Sequence, residues 1–397
     1  MRRFALMVAV VLLTGALVSS GVALAQSRST RSGPPPVPEP LSLPETLAPA
    51  SGSALVIAGT AGADVIVIHQ NAGGSLTVTV NGRSRLVATA DAARLVVEGG
   101  AGNDFITADA SVTVPLTVFG GAGNDAISSR GSGTVYIDGG PGNDTIGVGS
   151  GLAMLFGGAG NDQFALRSAS GIMAGGPGTD TYARGDPTSR VFAQRGEKVT
   201  SQGRVTFVPL GSRDASGHAP AYLVHIVGSA AFRQRVSSDV TALLSVPAGR
   251  ALLTALDDAG HAVRVTQSSA GNQTTVPDPT GAFLKPGGAH GAGSAAAISY
   301  NPYETIVDSG ALPWQARPPI VGFYHELVHA LNCATGTMQP GKNAAGVPKL
   351  ELQAIGLPFK GIAYRWNPAA AASAANPRVF TENGCRALLG IARRTAY

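Results

Sequence analysis

Three rhythms of apolar and polar residues run along this chain. The first is a continuous apolar stretch, Phe4 to Val18, behind the positive Met1-Arg2-Arg3. The second occupies residues 54–183, where an apolar residue returns two positions after an aspartate, each time behind a run of glycines. The third begins near Tyr222, where apolar positions gather into strand- and helix-length segments. There Val224-His225-Ile226-Val227 reads as a strand, Ala230 to Leu244 and Ala248 to Leu256 as helices, and Ala297 to Asn301 as another strand. Pro318-Pro319 opens an apolar helix that runs past Ala330-Leu331-Asn332, since the first turn has no intrahelical use for a proline's missing N–H. Thr266 to Gly293 is rich in Gly, Pro and polar residues and reads as a surface loop.

The leading stretch has the form of an export signal. Ala23-Leu24-Ala25 supplies a small-x-small site, so cleavage is expected before Gln26, with residues 1–25 removed. The apolar core is short for a membrane span, and no later stretch is long and apolar enough for one. A secreted, extracellular protein without stable membrane insertion is expected. Residues 26–53, with Pro34-Pro35-Pro36, are too poor in apolar side chains to build a core and read as a disordered linker.

In the second rhythm Gly99-Gly100-Ala101-Gly102-Asn103-Asp104 returns at Gly120 to Asp125, Gly139 to Asp144, Gly157 to Asp162 and, less strictly, Gly175 to Asp180. A weaker copy without the glycine pair ends at Asp64. Glycines permit tight turns that expose carbonyls, and each aspartate adds a hard, negative oxygen. This resembles the calcium-binding nonapeptide of RTX toxins and secreted proteases, which winds a right-handed parallel β-roll. The resemblance implies several structural Ca²⁺ ions held along Asp104, Asp125, Asp144, Asp162 and Asp180. The later copies recur at about eighteen residues, twice the nonapeptide, so calcium is expected along one edge of the solenoid only. Residues 184–219 lose the repeat; Val191-Phe192 and Arg204 to Val208 read as strands that cap the roll.

The strongest chemical signal is His325-Glu326-Leu327-Val328-His329. On a helix two histidines four apart stand on one face, which suits two imidazole nitrogens on one zinc ion. Glu326 is then placed as the catalytic base that takes a proton from the attacking water. Downstream of His329 there is neither His nor Asp, so the third ligand falls to Glu351 or Glu382. Glu351 is the favoured ligand and Glu382 the alternative, the other supporting a histidine from behind. Tyr397, Arg394, Arg393 and Tyr364 are candidates for stabilising the transition state. Cys333 and Cys385, the only cysteines, leave a disulfide and a buried free thiol both open.

From about Tyr222 to Tyr397 the chain resembles the zinc-metallopeptidase effector family of type III secreted proteins from enteric and plant pathogens. The matching pieces are Ser299-Tyr300-Asn301-Pro302, Pro318-Pro319, His325 to Leu331, Glu351 to Gly356, Thr381-Glu382-Asn383 and Arg393 to Tyr397. The resemblance implies an α+β zincin-like metallopeptidase domain over 220–397. Studied members cut host signalling kinases, a substrate that does not carry over, because the first half and the export route of this chain differ. Ala297 to Asn301 is a candidate for the edge strand that holds an extended substrate.

The formal net charge of +5 is uneven, with acidic repeats and a basic segment after Tyr222. There is no nucleic-acid motif, so the expected partner is a protein or peptide substrate. The competing reading is a calcium-binding surface, matrix or adhesion protein whose peptidase-like domain is inactive. Because the peptidase half is expected to own its core, calcium removal should melt the roll and leave zinc in place.

Overall fold

The computed structural model describes residues 55–88, 94–167, 169–184, 186–200, 204–208, 221–307 and 312–397. The expected signal and linker, 1–53, and residues 209–220 lie outside the described residues. Among the described residues no single helix is long and apolar enough to cross a membrane.

The repeats wind a two-sheet parallel solenoid. One sheet stacks Leu55–Ala58, Leu95–Ala101, Leu116–Ala122, Val135–Pro141, Leu152–Ala159, Ser170–Ala174, Arg190–Ala193 and Arg204–Phe207 in that order. The other is built from the strands that follow each aspartate, and an antiparallel pair, Leu76–Val80 and Arg83–Val87, extends its first end. The parallel ladder brings equivalent residues into register although successive copies are unequally spaced. Ile66, Ile106, Ile127, Ile146, Phe164 and Tyr182 pair one with the next, all buried, and each lies two positions beyond its aspartate. The glycines are a geometric need: Gly121 has φ of 108°, and a Cβ there would collide with the carbonyl of Gly100. Past residue 183 the winding goes on, with Arg190–Ala193 and Arg204–Phe207 pairing in parallel on the preceding coils.

The second half is an α+β domain. Its sheet contains β1 (Val224–Val227), β2 (Val263–Gln267), β3 (Gln273–Thr275) and β4 (Ala296–Tyr300), in the order β1-β2-β4-β3. β3 alone runs antiparallel. Its helices include α1 (Ala230–Leu244), α2 (Pro247–Ala259), α3 (Pro319–Ala334), α4 (Lys349–Ile355) and α5 (Glu382–Leu389). The expected loop over 266–293 therefore contains a strand, and the strand expected to hold substrate, Ala297 to Asn301, is interior. The free edge beside it is β3. Gln273-Thr274-Thr275 is too short and polar to signal burial, yet its two β-branched residues suit a pleated strand paired on one side.

The roll keeps a core of its own inside its two sheets, while its outward face shares a second apolar cluster with the other half. Alternate residues of the first sheet point away from the roll, and Phe119, Tyr136, Met154, Phe156 and Phe192 join a single apolar cluster with Phe232, Val236, Leu243 and Leu252. Arg235 of α1 reaches into this seam. Its guanidinium sits 3.5 Å from the ring centroid of Phe119 and 3.2 Å from Asp138 Oδ2, and it also bonds Asp239. Tyr300 of β4 donates to Asp239 at 3.0 Å. Arg190 of the roll donates to the Leu388 carbonyl at the end of α5. The peptidase core expected to stand apart is instead continuous with the outward face of the roll.

Candidate active site

α3 begins as the prolines dictate, with Pro318 at the N-cap and Pro319 in the first turn. All sixteen of its residues are buried, including His325, Glu326 and His329. Burying three ionisable groups on an apolar helix is costly unless they are partnered. The partners of the two histidines come from the next two helices, and that of Glu326 from β3.

The Nε2 atoms of His325 and His329 lie 3.0 Å apart. Glu351, in the first turn of α4, places Oε2 3.3 Å from each of them. These three side chains form a group that could hold a metal ion. Glu382 opens α5, whose N-cap Thr381 accepts from Gly384 N–H at 3.0 Å. It is fully buried, and its Oε2 is 2.9 Å from Nδ1 of His325, the nitrogen facing away from the shared group. Arg386 donates to Glu382 Oε1 at 2.7 Å, and Arg394 lies 3.3 Å from Oε2.

Electrostatics follow this geometry. Burial alone would lower the basicity of His325, but contacts with Glu351 and Glu382 outweigh it and raise its pKa to about 9. Burial opposes ionisation of Glu351 and Glu382 too, yet the histidines beside the first, and His325 with Arg386 beside the second, hold both well below the usual carboxylate range. The pocket favours a cation.

The remaining candidates separate. Tyr364 is 3% exposed, and its hydroxyl donates to Asn376 at 2.6 Å and accepts from Gln353, so it is committed to a structural network. Arg394 lies behind Glu382, and Arg393 is exposed. Tyr397 is 55% exposed. Partial burial raises its pKa first, then the charges of Glu351 and Glu326, against the pull of Arg394. Sequence reasoning missed Thr274 on β3, whose hydroxyl donates to Glu326 Oε2 at 2.7 Å. Cys333 and Cys385 are both free and buried, and Cys333 donates to the carbonyls of Ser294 and Ala295.

The aspartates form a second ordered group. Oδ1 of Asp104, Asp125, Asp144, Asp162 and Asp180 each accepts from the backbone N–H of the aspartate one coil earlier, at 2.7–2.8 Å. Every Oδ2 of these five is buried without a hydrogen-bond partner. A Cβ on Gly99 would collide with both Asp104 Oδ2 and the Gly120 carbonyl, so two hard oxygens meet where a side chain is missing. Burial, partly offset by the backbone N–H, raises the five carboxyls to pKa values of about 6, 7, 8, 7 and 8 in chain order. Asp64 differs: it accepts from Thr60 N–H at 2.6 Å and from Asn81 at 2.5 Å, so protein donors satisfy it. At the other end stands Glu197, outside the repeats, with Oε2 accepting from Tyr182 and Oε1 buried without a partner. Only the spacing from Tyr182 along the coil could have signalled it.

No curated protein and no solved structure matches the chain significantly. Residues 221–397, the half that carries the His325–His329–Glu351 group, match the model of the Peptidase M91 family, described as an effector protein.

Proposed function

We propose that this protein is a secreted zinc-dependent metallopeptidase that hydrolyses peptide bonds in protein substrates and is carried on a calcium-binding β-roll. The convergence of His325 Nε2, His329 Nε2 and Glu351 Oε2 within 3.3 Å carries the reading. Two imidazoles and one carboxylate are a common catalytic zinc donor set, and Glu382 behind His325 is the outer partner such a histidine takes. Zinc held by the three would supply a Lewis acid that acidifies water and polarises the scissile carbonyl. Glu326 takes the proton of the attacking water and returns it to the leaving nitrogen. For the developing oxyanion this reading takes Tyr397 as donor, since Tyr364 and Arg394 are engaged with Asn376 and Glu382. β3 has a free edge beside α3, and an extended substrate segment pairs there by backbone hydrogen bonds. Calcium would supply the positive charge that the five unpartnered Oδ2 atoms and neighbouring glycine carbonyls demand.

Metal analysis of the purified chain, paired with cleavage of a denatured protein, tests the reading. One zinc per chain with cleavage abolished by a zinc chelator is expected. Calcium without zinc, and no cleavage, would leave a binding protein with an inactive peptidase-like domain.

A further inference from the structure

Glu326 has three side-chain torsions, and a base that must meet a proton at one place gains by having them fixed. The fixing group is on the edge strand. Thr274 pairs with Ile298 of β4, which turns its side chain inward while those of Gln273 and Thr275 stay exposed. The start of β3 is anchored: Asn272 accepts from Asn301 N–H at 2.7 Å and donates to Glu304 at 2.7 Å, and Glu304 is paired with Arg317. Thr274 is thus held over the helix. Its hydroxyl has one proton and two acceptors, Glu326 Oε2 at 2.7 Å and the Glu326 carbonyl at 3.1 Å. The carboxylate is both nearer and charged, which favours it.

We infer that Thr274 is a positioning residue, whose hydroxyl holds Glu326 by Oε2 and presents Oε1 as the oxygen that moves the proton. Because Thr274 belongs to the strand on which an extended substrate pairs, substrate docking and base orientation share one element. This inference rests on the proposed peptidase reading, and its test separates the two.

The test uses the full chain loaded with zinc and calcium, with fluorescein-labelled casein as substrate. Thr274→Val, a near-isostere suited to a strand, is expected to keep wild-type zinc content and KM while kcat falls about ten- to a hundredfold. Thr274→Ser, which keeps the hydroxyl, should restore kcat to within about threefold. If Thr274→Val reduces the folded fraction, a second comparison decides: added to Glu326→Gln, Thr274→Val should cost no further rate per folded, zinc-loaded chain, because the two act as one unit. Wild-type kcat in Thr274→Val, or a full additional loss in the double variant, would overturn the inference and leave the hydroxyl as a tie to the helix carbonyl. A wild-type chain without zinc or cleavage would instead overturn the peptidase reading, and this inference with it.

Discussion

Glu382 Oε2 stands 2.9 Å from Nδ1 of His325, while Nε2 of the same ring points to His329 and Glu351. One carboxylate thus stands at the near nitrogen of the ring and another at its far nitrogen. The relationship fixes which glutamate has which position: Glu351 joins the shared group, and Glu382 lies behind it.

Glu382→Gln should therefore weaken zinc binding by about ten- to a hundredfold without removing a donor from the group. Chelator competition on the folded variant measures this. The variant should also lower stability, because Arg386 and Arg394 lose their shared anion in a buried place. Unchanged zinc affinity would show that Glu382 serves only the two arginines.

Calcium withdrawal should be felt across the seam. Since Phe119, Tyr136 and Phe156 of the roll pack in one cluster with Phe232 and Val236 of α1, melting the coils exposes the helix as well. Calorimetry in a calcium chelator should give one broad transition at lower temperature, and amide hydrogen exchange in α1 should accelerate. Two well-separated transitions, with α1 protection unchanged, would contradict the shared core.

The aspartate column gives the chelated protein an inverted pH response. Folded pKa values of about 6 to 8 exceed the ~3.9 of a free aspartate, so the folded state binds protons more tightly. That stability is complete below pH ~4 and is lost as pH rises through the folded values toward ~8. In chelator the melting midpoint should rise as pH falls from 8 to 5, and saturating calcium should flatten the trend. A midpoint that falls over this interval without calcium would contradict it.

What sequence made legible, and what it hid, divides by the range of the interaction. The HExxH spacing and the absence of later His or Asp reduce the third donor to two glutamates, because those constraints are local or chemical. The motif marks its own register, so Ile106, Ile127 and Ile146, each two residues beyond an aspartate, stack on one another. The shared core was not legible. Phe119 and Tyr136 look like any strand residues, and only the fold shows that their outward face meets α1. β3 was hidden by its three-residue length, and with it Thr274. Glu197 was hidden because the coil continues after the repeat motif has ended.

The most direct test of the central claim compares wild type with Glu326→Gln, measuring zinc content and casein cleavage on the same preparations. Both proteins should carry about one zinc per chain, because Glu326 is not among the three donors. Wild type should cleave, and the variant should be slower by at least about a hundredfold. Equal cleavage by the two proteins, or a wild type that cleaves without zinc, would contradict the account.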